Sequence, residues 1–304
     1  MESGLGTGTG DAARIQDRER DNGRQWVAPS SRNNIPERLN KKQAHRHLSP
    51  MGANLVAATG EFVGTFFFLF FGYGGHLMVL DETPSTGPGA STMIYIAITY
   101  GFSLLVTVWA LYRISGGLFN PAVTLGLCLS GQLPWTRAAF LIPSQLVACI
   151  CAGAVVEVLF PGDLSLVNTR LAAGVSIAQG VFAEMFFTSY LVFVVLILAV
   201  EKSRDTFLAP IGIGLALLVA EIPGVFFTGG SLNPARSFGC AVAAADFPGY
   251  HWIYWVGPAL GALISAGYYR FVKAFNYEEA NPGQDASSPN SLPHEASIPT
   301  MSQV

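Results

Sequence analysis

The chain has 304 residues, 51% of them hydrophobic and only 12% charged, with mean hydropathy +0.41. Soluble domains carry roughly 25% charged residues, and here 19 of the 37 charges lie in residues 1–53 and 275–304, leaving the middle too poor in charge to cover a water-exposed surface. That balance argues against a soluble enzyme and a disordered chain, a net charge of −3 gives no basic field for nucleic acid, and a polytopic membrane protein remains.

In chain order, residues 1–53 come first, rich in Arg, Asp, Asn, Gly and Ser and lacking the apolar run of a signal peptide. They are predicted to be a disordered tail. A spanning helix needs roughly 20 apolar residues, and six stretches qualify: 54–80, 93–112, 138–160, 174–200, 207–227 and 252–271. Two shorter apolar pieces, 121–129 and 234–245, follow the second and fifth spans and are too short to cross. Residues 275–304, rich in Pro, Ser and Asn, read as a second disordered tail. The expected organisation is therefore a transmembrane domain over 54–274, in repeats of about 54–160 and 174–274, between two tails.

Lys and Arg favour the cytoplasmic side. Nine lie in the first tail and none in the loop 81–91, which with an even number of spans places both termini in the cytoplasm; only Arg170 counts against this. The membrane is read as the plasma membrane. Cys128, Cys149, Cys151 and Cys240 sit in apolar stretches and read as packing residues. The histidines, at 45, 47, 76, 251 and 294, have no ligand spacing, so no metal, cofactor or catalytic constellation is expected.

An internal repeat sets the architecture. The segment Gly116-Gly117-Leu118-Phe119-Asn120-Pro121-Ala122-Val123-Thr124-Leu125-Gly126 returns 113 residues later as Gly229-Gly230-Ser231-Leu232-Asn233-Pro234-Ala235-Arg236-Ser237-Phe238-Gly239, identical at six of eleven positions. Glu61 with Thr65 and Glu184 with Thr188 form a second repeated pair, each in the first span of its half. Three spans per half is an odd number, so the halves must lie upside down relative to each other. Their short pieces then enter from opposite faces and meet near the midplane. The predicted fold is all-α: six transmembrane helices plus two re-entrant half-helices in an inverted repeat.

Asn-Pro-Ala reads as a helix start, with Asn as N-cap and Pro at the first helical position. Broken helices at membrane depth are tolerated where buried in protein or facing water, so two of them point to a water-filled path, whereas one alone would read as packing. Arg236 follows the second box and either reaches a narrow pore or snorkels to a headgroup. Charged residues within spans are costly, so Glu61 and Glu184 read either as proton relays or as structural supports.

With both boxes, both glutamates and the Asn233-Pro234-Ala235-Arg236-Ser237 extension, residues 56–269 resemble the major intrinsic protein family, the aquaporins and aquaglyceroporins. The long polar first tail looks most like orthodox aquaporins of fungi. The resemblance implies a homotetramer in the lipid bilayer with one pore per subunit, passing water in single file and excluding protons and ions. It makes Asn120, Pro121, Ala122, Asn233, Pro234 and Ala235 the pore centre, where both Asn side chains offer N–H groups to the solute. Carbonyls of Gly117, Leu118, Phe119, Gly230, Ser231 and Leu232 line the wall as acceptors. Glu61 and Glu184 become loop supports, and Tyr100, Glu221, Gly230 and Arg236 the selectivity filter. Glu221 departs from the pattern, since water-selective members usually have His there. Either its carboxylate faces the pore, with Arg236 or water as partner, or it turns outward, because Pro223-Gly224 could end the helix early.

Ser237, where glycerol facilitators usually carry Asp, and the Tyr254-Trp255 pair favour water. The alternatives are a broader facilitator of glycerol or hydrogen peroxide, a coupled secondary transporter, and a closed junctional protein that lost its pore. A cytoplasmic tail folding over the mouth would be a gate, removed by deleting residues 1–50. Ser115 and Ser203, beside basic residues, are candidate kinase sites.

Overall fold

The structure, a computed structural model, describes residues 48–83, 87–201 and 206–280. Most of the first tail, Ser203 and the end of the second tail lie outside the described residues, and with them the tail gate. All elements belong to the unit that begins at Ser49, and among the described residues there is no strand.

Six long helices appear: α1 Pro50–Asp81, α2 Ala90–Leu111, α4 Trp135–Leu159, α5 Ile177–Val195, α6 Ala209–Thr228 and α8 Ile253–Ala274. Between them lie two short ones, α3 Pro121–Leu129 and α7 Pro234–Ala243. The fold is the all-helical arrangement expected. Five of the six long helices are long and apolar enough to cross a membrane. The sixth, α8, matches α2 in length but is less apolar, because Gly, Ser and Tyr residues dilute it and Arg270 and Lys273 close it.

Helix boundaries follow local chemistry rather than hydropathy. The first helix starts at Pro50, inside the stretch read as tail, because the Ser49 hydroxyl caps Gly52 N–H at 3.1 Å and Pro50 occupies the first turn. At the other end, Tyr277–Glu279 form a short turn beyond α8. Pro223 lies within α6, which runs on to Thr228 and ends at the left-handed Gly229, so the early stop expected there does not occur.

The halves pack as inverted copies. Helix α1 lies against α4 as α5 lies against α8, and α2 crosses α6 between the halves. Gly101 and Gly214 make that crossing close: a Cβ on Gly101 would stand 3.0 Å from the Gly214 carbonyl, and one on Gly214 2.7 Å from the Gly101 carbonyl. Small residues let apolar helices approach until their backbones touch, which is how helices associate where lipid offers no hydrophobic drive. Large apolar side chains such as Phe67, Phe71, Phe102 and Val106 cover the outside instead.

At its C-terminal end α5 widens into a π-helical turn, Leu196–Val200, whose Ala199 carbonyl accepts from the Tyr112 hydroxyl at 2.9 Å. Just beyond, the Glu201 carboxylate accepts from Tyr269, from Lys273 at 3.1 Å and from Tyr277 at 3.0 Å. Burial raises this carboxyl, but those hydrogen bonds outweigh it and hold its pKa below the usual range. A lowered carboxylate pKa stabilises the fold above the unfolded-state value and loses that contribution as pH falls through the folded-state value. Replacing Glu201 with Gln is therefore expected to cost about 1–2 kcal/mol at neutral pH. Thermal melts in detergent should show the wild type converging on E201Q as the medium is acidified.

Candidate functional site: a junction of two half-helices

Nine residues of α3 and ten of α7 give rods of about 14–15 Å, half of a hydrocarbon core of roughly 30 Å. Asn120 caps α3, its Oδ1 accepting from Ala122 N–H at 2.8 Å and Val123 N–H at 3.4 Å. In the same way Asn233 caps α7 through Ala235 N–H at 2.9 Å. The two starts are then bonded to each other: Asn120 Nδ2 donates to the Leu232 carbonyl at 2.8 Å, and Asn233 Nδ2 to the Phe119 carbonyl at 2.9 Å. Each loop thus reaches the residue just before the other's asparagine. The two positive helix ends, each carrying roughly half an elementary charge, face one another.

This junction also uses part of the wall's hydrogen-bonding capacity. The Phe119 and Leu232 carbonyls, expected to line the wall, each spend one of two lone pairs on the opposite asparagine, and one N–H of each amide is used. An amide has two N–H donors, so each asparagine keeps one that the junction does not use.

The loops are bent by matching dihedrals. Gly116, Gly117 and Phe119 have φ of 108°, 69° and 47°, and Gly229, Gly230 and Leu232 have 83°, 62° and 49°. Carboxylates hold the bends from behind. Glu61 accepts from Leu118 N–H at 3.0 Å, Phe119 N–H at 2.7 Å and Gln145 Nε2 at 2.8 Å. Glu184 accepts from Ser231 N–H at 3.0 Å, Leu232 N–H at 2.8 Å and the Thr228 hydroxyl at 2.6 Å. Both glutamates are fully buried with these donors. Of those partners, Gln145 was missed by the sequence reading, although it is the lone amide in the span 138–160.

A cavity of about 20 Å³ lies at the junction. That is room for a water molecule. Asn120, Asn233, Glu221, Arg236, Gly117, Leu118 and Ser231 line it, together with the apolar Phe68, Leu104, Val123, Leu191, Val195, Ile213 and Leu217. A wider vestibule of about 360 Å³ adjoins it, sharing Gly117, Leu118, Val195 and Ile213, and opens between Tyr112, Gly116, Gln132 and Val200. Ser115, beside it, is buried and its hydroxyl accepts from Gly117 N–H at 3.1 Å, which takes it out of reach of a kinase in this conformation.

Arg236, also in the cavity lining, is 1% exposed, which rules out snorkelling to a headgroup. Its Nη1 donates to the Val167 carbonyl at 2.9 Å and its Nη2 to Gly229 O at 3.4 Å, and its guanidinium carbon lies 4.9 Å from the centre of the Tyr100 ring. The Val167 contact comes from a short turn, Leu164–Val167, in the third loop. That loop is held by Asn168 Nδ2 on the Asp246 carbonyl at 2.6 Å and by an Arg170–Asp246 ion pair, so Arg170 has a partner at the surface.

Glu221 takes the cavity-facing of the two arrangements open to it, but without Arg236 as an ion-pair partner. It does not turn outward, being 1% exposed, and it makes no ion pair with Arg236. Its Oε2 instead rests on Gly230, where a Cβ would stand only 1.8 Å away. Both Glu221 Oε2 and Arg236 Nε are buried without a hydrogen-bond partner. The Tyr100 ring is fully buried between Gly72 and the Arg236 guanidinium, and Gly230 is buried against Glu221; neither is among the residues that line the cavity.

The family profile described as "Major intrinsic protein" matches residues 51–269. The chain is 67% identical over 248 residues to "Probable aquaporin-3" of Gibberella zeae, covering 80% of this chain and 87% of that protein. It is 51% identical over 255 residues to "Aquaporin-7" and 53% over 240 residues to "Aquaporin-2" of Botryotinia fuckeliana, covering 81% and 77% of this chain. The match spans only 56% and 63% of the length of those two proteins. Among solved structures, the aquaglyceroporin from Plasmodium falciparum superposes with TM-score 0.65 at 21% identity, over 74% of this chain and 99% of its own, a likeness of fold.

Proposed function

The chain belongs to the major intrinsic protein family, a family of membrane channels rather than enzymes, and we propose that it conducts water passively, in single file, down osmotic gradients. The observation that carries this reading is the reciprocal Asn120–Leu232 and Asn233–Phe119 junction around a cavity the size of one water. A water held by the two remaining amide N–H groups turns its oxygen to them and its hydrogens away. The hydrogen-bonded file is therefore broken in polarity at that point, and a proton cannot pass along it. The facing helix ends and buried Arg236 oppose cations by the same field.

In this reading Asn120, Pro121, Ala122, Asn233, Pro234 and Ala235 form the pore centre. Tyr100, Glu221, Gly230 and Arg236 form the selectivity filter, and Glu61 and Glu184 support the loops. The apolar exterior is consistent with a homotetramer in the lipid bilayer, and the Lys and Arg distribution with cytoplasmic termini in the plasma membrane. The chain over 54–274 is the channel domain.

Reconstituted into liposomes, the full chain should give fast shrinkage under an impermeant osmolyte and no proton leak beyond that of empty vesicles. Shrinkage no faster than that of empty vesicles would refute the reading. A second reading, passage of small hydroxylated solutes such as glycerol or hydrogen peroxide, is favoured by one feature. Glu221 Oε2 and Arg236 Nε are an unused acceptor and donor beside the same cavity. Glycerol entry at rates comparable to water would establish that reading in place of strict water selectivity.

A further inference from the structure

Helix α1 packs against the Tyr100–Arg236 pair with residues to which the sequence reading assigned nothing. Three residues within five positions touch it. A Cβ on Gly72 would stand 2.6 Å from the Tyr100 ring, so the ring lies directly on that backbone. The Tyr73 hydroxyl donates to the Arg236 carbonyl at 2.6 Å. One turn further on, His76 Nδ1 lies 3.4 Å from the Tyr100 hydroxyl and 3.5 Å from Arg236 Nη2, with its ring edge-on to Tyr100 at 5.9 Å. His76 is 5% exposed. A buried histidine at the end of an apolar helix, in contact with both the arginine and the tyrosine of the filter, is more than packing requires.

The chemistry of the partners fixes its role. A guanidinium has donors only, so His76 Nδ1 meets Arg236 as an acceptor and the ring proton sits on Nε2. The Tyr100 hydroxyl then also meets Nδ1 as a donor. One lone pair serves two donors at distances near the outer limit of a hydrogen bond. The donor that His76 does not hold is the one left for a passing solute.

We infer that His76 is a further specificity-determining residue, positioning the Tyr100 hydroxyl and the Arg236 guanidinium and deciding which of them meets the solute. This rests on the filter reading above for Tyr100 and Arg236.

The test uses the full chain in liposomes and reads the ratio of glycerol to water permeability. His76→Leu removes the acceptor and should raise the ratio by roughly 3- to 10-fold, the scale of one net hydrogen bond. His76→Asn places an oxygen where Nδ1 stands and should bring the ratio back toward that of the wild type. His76→Gln keeps a polar group but carries it to the Nε2 position, so it should behave like His76→Leu. In Tyr100→Phe, the further effect of His76→Leu should shrink, because one of its two partners is gone. Should His76→Leu fail to fold, the contrast between Asn and Gln decides alone. A ratio unchanged in both His76→Leu and His76→Gln, while Arg236→Val shifts it, would overturn the role of His76 and leave the filter standing. A ratio unchanged by Arg236→Val as well would overturn the filter reading itself.

Discussion

Glu184→Leu should leave a protein that no longer conducts water and that melts well below the wild type. Two backbone N–H groups, of Ser231 and Leu232, and the Thr228 hydroxyl converge on that carboxylate inside the membrane domain. Thr228 has a second acceptor in the Gly224 carbonyl at 3.1 Å, so it can be satisfied without Glu184. The two backbone donors cannot. Each orphaned buried N–H costs about 1–3 kcal/mol, so the loss is about 2–6 kcal/mol against a typical total of 5–15 kcal/mol. The cost falls on the bend that places Asn233, and the cross-junction bond to Phe119 depends on that bend. Glu184→Gln should fail nearly as badly, because one of its two terminal atoms becomes a donor facing a donor. Stopped-flow shrinkage of vesicles and a melt in detergent check this together. A conducting Glu184→Leu channel of unchanged midpoint would show that the loop holds itself.

The same carboxylates show what could be read from the chain and what could not. Glu61 and Glu184 were visible because a charge in an apolar run is costly and because each stands at the same place in a repeat. The half-helices were visible for a similar reason: Asn-Pro is a helix start wherever it occurs, and a start that repeats 113 residues later in an odd-span unit can only be inverted. Long-range partners were not legible. Nothing in the local sequence says that the Val167 carbonyl will receive Arg236, that Gln145 will reach Glu61, or that His76 will come to lie on Tyr100. Those contacts join segments between 24 and 84 residues apart, and helix packing alone decides them. The side that Glu221 takes was left open for a related reason. Pro223 could have ended α6 and turned Glu221 outward, but a proline loses only one backbone bond, and α6 carries on to Thr228.

Glu221 also sets the second large effect. Gly230→Ala should close the channel, and Glu221→Ala added to it should reopen it. At φ 62° the alanine itself costs about 1–2 kcal/mol, which a membrane domain of this size can absorb. The clash decides the outcome: the new methyl would stand 1.8 Å from Glu221 Oε2, which must move. Phe187 and Gly224 lie on the near side, and the open volume beside Glu221 is the cavity it shares with Asn233 and Arg236. A carboxylate pushed there occupies the space of the one water the cavity holds, and its charge finds the unpartnered Arg236 Nε. Water flux should then fall to a small fraction of the wild-type rate, with the protein still folded by melting in detergent. Truncation to Glu221→Ala removes both the clash and the plug, so the double variant should conduct again. Glu221→Gln has the same bulk as Glu and should not rescue, which separates steric blockage from loss of charge. A fully conducting Gly230→Ala channel would mean that the carboxylate has another way out, and the Glu221–Gly230 contact would then be no part of the filter.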